Sequence, residues 1–151
     1  LVVDTIEIAA NWSTLPRLYN EVLGALREIK GTIAASAHCS HSYTDGGCLY
    51  FTFAGHVGDD LETKDRYYCT AFAAAMNATM AAGGAISHHH GIGLNRAPYM
   101  ARALGEGAMR VLTGIKQVLD PSGILNPGVL GLPSPFLTDG PSSLFPYSDH
   151  G

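Results

Sequence analysis

Thr32–Ala54 reads TIAASAHCSHSYTDGGCLYFTFA, and the way this stretch divides decides the fold. Thr32–His38 and the aromatic, apolar Cys48–Ala54 have the composition of strands. Ser40–Gly47 between them is polar and turn-like. By period-two alternation Leu49, Phe51 and Phe53 share one face of the second strand, and Cys48, Tyr50 and Thr52 share the other. The first set reads as core, which leaves Tyr50 on the more polar face.

Working outward, Leu1–Ala10 is rich in β-branched residues and reads as a strand. Asn11–Thr14 offers helix caps, after which Leu15, Leu18, Tyr19, Val22, Leu23, Leu26 and Ile29 recur at helical spacing until Gly31. On the other side, Asp59-Asp60 opens a long helical run to Ala82, where acidic residues suit the positive end of the helix dipole. Gly83-Gly84 stops it, and Ala85–Ser87 would be a short fourth strand. Two further helices fit Pro98–Leu104 and Glu106–Leu119, closed by Asp120-Pro121. The order β-α-β-β-α-β predicts an α+β, ferredoxin-like split βαβ unit: an antiparallel sheet with helices on one face, plus C-terminal helices. Residues 1–130 are expected to form this domain, and 131–151 an irregular tail rich in Pro, Ser and Gly.

The 151 residues suffice for one domain. Hydrophobic residues make up 46%, enough to bury a core, but charged residues only 15%, low for a small free-standing domain. Part of the surface is therefore expected to be covered by another body. A net charge of −4 argues against nucleic acid or an anionic membrane as partner. Three cysteines without CxxC spacing imply neither a disulfide framework nor a thiolate zinc site. There is no secretory signal or membrane-spanning run, so the expected location is cytoplasmic, or peripheral to a membrane. The chain opens inside an apolar strand-like segment without an initiator Met, as a piece of a longer polypeptide would.

Ser87–Gly93 (SHHHGIG) is the strongest local signal. Imidazoles titrate near neutrality and serve as proton donors, acceptors or phosphate partners. Glycines beside them let a planar or anionic ligand approach the backbone. Three adjacent histidines leaving a strand would point to alternate sides, so at most two face one pocket. The plain alternative is a polar loop; an internal run of three is not a tag. Zinc is a rival, with His38 or His41 as added ligands, but the spacing matches no zinc protein and no metal is assigned. GIG alone is not a dinucleotide fingerprint. Tyr50 is the second candidate, although a strand tyrosine more often simply packs. Proton transfer through it would need cationic neighbours, which protonated histidines would supply.

Four stretches then carry a resemblance: Asp4–Glu7 with Trp12, Ser40–Phe53 (SHSYTDGGCLYFTF), Ser87–Gly93, and Lys116–Gly128 (KQVLDPSGILNPG). In this order they resemble the C-terminal, cap-domain part of the FAD-linked oxidases of the vanillyl-alcohol-oxidase type, within that superfamily the alkyldihydroxyacetonephosphate synthases. The resemblance implies FAD as cofactor, most of it held by an N-terminal FAD-binding domain that this chain does not contain. It implies exchange of the acyl group of acyl-dihydroxyacetone phosphate for a fatty alcohol, a step of ether-lipid synthesis. The fragment alone would then be inactive. Tyr50, His89 and His90 would be catalytic, with Tyr50 moving the proton at the reacting carbon. His88, His89, His90, Gly91 and Asn126 would contact the cofactor, and His88 and Arg96 the substrate phosphate.

In the related 2-hydroxy-acid dehydrogenases the motif reads E-H-G-I-G, and its Glu joins two histidines of an H-x-x-G-D-G-N-x-H stretch as metal ligands. Here His89 stands at the Glu position and Tyr50 at the second histidine, so that metal site looks dismantled. The partners implied are the FAD-binding domain, a small-molecule or lipid-like substrate and, left open, a second copy of the chain. Two alternatives stand beside this reading: an FAD-linked oxidoreductase acting on a 2-hydroxy acid or other alcohol, and a stand-alone ferredoxin-like binding module.

Overall fold

The computed structural model describes residues 1–136. They divide into two compact units, Leu1–His90 and a second beginning at Gly91. The first contains β1 (Val2–Asn11), α1 (Leu15–Glu28), β2 (Thr32–Ser42), β3 (Gly46–Gly55) and α2 (Leu61–Ala81). The strands form one antiparallel sheet in the order β1-β3-β2. The stretch rich in aromatic and apolar residues takes the central position, where both edges of its backbone are paired.

Alternation then separates the two faces. Ile6 and Ile8 of β1 stand opposite Phe51 and Leu49 of β3, and Ile6, Ile8, Phe51 and Phe53 are fully buried. Against them pack Leu18, Val22 and Leu26 of α1 and Ala71, Ala75 and Met76 of α2, also buried. Tyr19 of α1 meets Phe51, and Tyr67 of α2 meets Phe53, at ring separations of 6.4 and 6.3 Å. Burying each large side chain contributes about 1.5–3 kcal/mol before entropy is counted. Both helices therefore lie on this one face, as the alternation required. Asp60 caps α2, its carboxylate accepting the Thr63 N–H at 2.7 Å; the Thr63 hydroxyl, then this N–H, hold that carboxyl below its usual range.

Three expectations need correction. β2 runs to Ser42 rather than His38, taking up the extra residue in a bulge between Cys39 and His41. β3 starts at Gly46 rather than Cys48, because the backbones of Gly46 and Ala10 approach too closely for a side chain. The turn shrinks to Tyr43–Asp45, with the Tyr43 N–H bonded to the Gly46 carbonyl. The fourth strand is reduced to a single bridge between Ala9 and Ala85. Just downstream the chain bends, and the amides of His88 and His89 are taken by the Glu7 side chain instead of a strand partner.

A methyl group at Gly46 would stand 2.3 Å from the Ala10 carbonyl oxygen. Backbone cannot yield as a flexible side chain does, so Gly46→Ala is expected to cost about 1–3 kcal/mol, as overpacking does. Urea denaturation measures this; an unchanged midpoint would refute the pairing of Asn11 with Gly46.

The second unit holds a 3₁₀ turn at Ala97–Tyr99, α3 (Met100–Leu119) and a 3₁₀ turn at Val129–Gly131. Gly105 breaks α3 with φ 80° and ψ 159°, the boundary expected between two helices. Asp120 closes α3: it is buried, pairs with Lys116 and accepts the N–H groups of Ile124 and Leu125 at 3.2 and 2.9 Å. The Lys116 ammonium, followed by these backbone donors, holds its carboxyl below the usual range. The expected tail at 131–151 lies largely outside the described residues, which end at 136. Among those described, no helix is long and apolar enough to cross a membrane.

Candidate functional site

The face of the sheet turned away from α1 and α2 carries the polar side chains. Pairing register sets two rows across it. Glu7 stands opposite Tyr50, and Tyr50 opposite His38. Ala9 stands opposite Cys48, and Cys48 opposite His41. The segment Ser87–His90 meets this face.

Tyr50 is half-buried and ringed by functional groups. The Thr5 hydroxyl donates to its phenol oxygen at 3.1 Å. His38 stacks on its ring with centroids 5.3 Å apart, and His90 meets it edge-on at 5.2 Å. The Thr5 donor orients the phenol oxygen, and adjacent imidazoles are suitable proton partners.

The histidine triplet does not leave a strand. Residues 88–90 form a bend, so strict alternation does not apply and His88 and His89 turn the same way. Their anchor is Glu7. One carboxylate oxygen, Oε2, accepts the backbone N–H groups of His88 and His89 at 2.9 and 3.2 Å. The other, Oε1, faces Nδ1 of His88 at 3.3 Å and Nδ1 of His89 at 3.0 Å. Those two nitrogens are 3.1 Å apart. His41 closes the group, its ring 4.7 Å from that of His89 and 5.7 Å from that of His88.

Glu7 is fully buried. Burial alone opposes its ionisation, but the two backbone donors, the charge at His89 and the Cys48 thiol outweigh it, leaving the carboxyl below its usual range. The same neighbourhood acts on Cys48 in the opposite sense. Desolvation, then its hydrogen bond to Glu7, push the thiol up to about 11. Cys48 is on the face that alternation assigned to it, but it is covered rather than exposed.

Thiolates, not thiols, are the nucleophiles. Exposed Cys39 is therefore expected to react first with an aromatic disulfide reagent at pH 8, while buried Cys48 and Cys69, both pushed upward by burial, react only on unfolding. Counting one fast thiol by absorbance checks this; three fast thiols would contradict the burial of Glu7 and its partner.

Of the residues singled out from the sequence, Tyr50, His88, His89 and His90 come together in the first unit. Gly91, Arg96 and Asn126 belong to the second. Arg96 is buried there and Asn126 sits at φ 44°, in the left-handed region just before Pro127. Sequence reasoning missed Glu7, Thr5 and the placement of His38. The alternation that sent Ile6 and Ile8 inward already put Glu7 beside Tyr50. No periodicity, however, announces that a later loop will bury it.

Residues 1–130 match the family described as FAD linked oxidases, C-terminal domain. The alkyldihydroxyacetonephosphate synthase of Trypanosoma brucei brucei is 36% identical over 129 residues, covering 78% of this chain and 21% of that protein. The FAD-linked oxidoreductase YgcU of Escherichia coli K12 is 31% identical over 132 residues, covering 83% of this chain and 27% of its own length. A solved structure of an alkyldihydroxyacetonephosphate synthase superposes with a TM-score of 0.53 at 26% identity, over 83% of this chain and 20% of that one. The chain thus spans roughly a fifth to a quarter of the length of these relatives. The match across 130 residues and the shared fold lead to one conclusion: the chain belongs to the FAD-linked oxidases, within their C-terminal domain.

Proposed function

We propose that residues 1–130 form the substrate-facing domain of a longer FAD-dependent enzyme that exchanges the acyl group of acyl-dihydroxyacetone phosphate for a fatty alcohol. The observation that carries this reading is the environment of Tyr50, a phenol with a hydroxyl donor at 3.1 Å and an imidazole on its face and at its edge. Breaking a C–H bond beside a carbonyl needs a positioned proton acceptor, and the Tyr50 oxygen, oriented by Thr5 with imidazoles beside it, is one. His90, edge-on to Tyr50, relays the proton. His88 and His89, anchored through Nδ1 and their amides, present the opposite edge of each ring to substrate phosphate or cofactor.

FAD fits these residues in part. Flat rings and polar hydrogens around Tyr50 suit a planar heteroaromatic ring, while no glycine-rich phosphate loop opening a helix occurs among the described residues. The dinucleotide half therefore falls to the rest of the polypeptide. When bound, the flavin would supply an electrophilic ring, with Tyr50 and the imidazoles handling the proton beside it. The surface of α3 fits a covered position: Leu104, Val111, Ile115, Val118 and Leu119 are all exposed.

A second reading is an FAD-linked oxidoreductase acting on a 2-hydroxy acid or another alcohol, favoured by the similarity to YgcU. The family match displaces the stand-alone binding module. The deciding experiment uses the longer polypeptide with its flavin. Ether product from acyl-dihydroxyacetone phosphate and hexadecanol supports the first reading. Reduction of a dye by D-lactate without ether formation supports the second.

A further inference from the structure

We infer that Glu7, His88 and His89 form a binding site for a divalent transition metal, zinc above all. Three donor atoms from different side chains, Glu7 Oε1 and Nδ1 of His88 and His89, are separated by 3.3, 3.0 and 3.1 Å. Zinc binds imidazole nitrogen and carboxylate oxygen at about 2.0–2.2 Å, which makes the edge of its coordination tetrahedron about 3.3–3.6 Å. The three atoms thus already form a triangular face that reaches this size by opening a few tenths of an ångström. His41, Cys48 and His88 likewise bring ligand atoms within 4.8 Å of one another. His41 stands beside the triangle, its ring 4.7 Å from that of His89, and the remaining coordination position is open to water or substrate.

A cation at the centre of this triangle satisfies all three atoms at once. The outer arrangement suits it too: Oε2 of Glu7 is fixed by two backbone donors at 2.9 and 3.2 Å, the kind of support that orients a ligating carboxylate.

This set differs from the one that the resemblance associates with the 2-hydroxy-acid dehydrogenases. There the carboxylate stands at position 89, and position 50 is a ligand. Here the carboxylate comes from β1, position 89 is an imidazole, and Tyr50 takes no part. The bend at residues 88–90 removes the geometric objection to adjacent histidines sharing one ion. The metal would lock His88 and His89 in place, leaving His90 on Tyr50. Nothing in this inference depends on the flavin reading, since it rests on side chains of the first unit alone.

The test is titration of the 151-residue chain with Zn²⁺ and Co²⁺, without flavin, followed by metal analysis after dialysis. One retained zinc per chain and the visible bands of tetrahedral cobalt are expected. Glu7→Gln and His89→Gln, each checked for folding by circular dichroism, should weaken binding at least tenfold, and exposed His56→Gln should leave it unchanged. Failure of the unaltered chain to retain one equivalent overturns the inference whatever the variants do. So does binding that survives both ligand substitutions or is lost with His56.

Discussion

Replacing Glu7 by alanine is expected to be the most destabilising polar substitution in the first unit. The side chain is fully buried, and its Oε2 is the acceptor for two backbone N–H groups. A hydrogen bond to a charged acceptor contributes about 1.5–3 kcal/mol, and the buried donors left behind cost their desolvation. Loss of both is expected to cost about 3 kcal/mol or more in urea unfolding at neutral pH. Amide exchange locates the effect, since His88 and His89 should lose protection while the β1–β3 ladder keeps it. Alanine at position 7 without change in midpoint or in those two amides would show that the triplet is held by something else.

The same carboxylate gives a signed pH dependence. Its folded pKa is lowered, with burial opposing ionisation and the His88 and His89 amides, the His89 charge and the Cys48 thiol prevailing. A lowered folded value means that the contribution is complete above the unfolded pKa, about 4.3, and disappears as pH falls through the folded value. Glu7→Gln has no proton to gain there. Its stability is expected to be lower at pH 7 and to fall less between pH 5 and pH 3. Parallel acid curves for the two proteins would contradict the assignment.

How much of this was legible follows from where each signal lives. The core face was readable because Ile6, Ile8, Leu49, Phe51 and Phe53 obey one local rule, alternation, and one global rule, burial of apolar area. The break at Gly105 and the start of α2 beside Asp59-Asp60 were readable because backbone chemistry announces itself in a residue or two. The fourth strand was misread because Ala85–Ser87 has strand composition, while the amides just after it are taken by a glutamate some eighty residues earlier. Tyr50 and the triplet were legible as residues. Their meeting was not, since it depends on a loop bending back across the sheet. Long-range pairing of this kind leaves no period in the sequence, and only the four-stretch resemblance carried information about it.

Tyr50→Phe is expected to reduce the turnover of the longer, flavin-loaded enzyme by about 10²–10⁴-fold, the usual contribution of a positioned proton-transfer group. The substitution removes one oxygen and keeps the ring, so the stacking on His38 and the edge contact with His90 at 5.3 and 5.2 Å survive. Folding and flavin content should therefore be retained, and kcat should fall with little change in KM, the pattern for an interaction made only in the transition state. Thr5→Val provides the discriminating comparison. It deletes the donor 3.1 Å from the phenol oxygen and leaves the phenol in place. Without that donor the phenol oxygen is less firmly oriented, so kcat should fall, by less than in Tyr50→Phe, with KM little changed. A merely structural role for Tyr50 moves stability and leaves kcat of both variants unchanged. Full turnover in Tyr50→Phe would remove the phenol from the chemistry and leave the imidazoles as the remaining bases on this face.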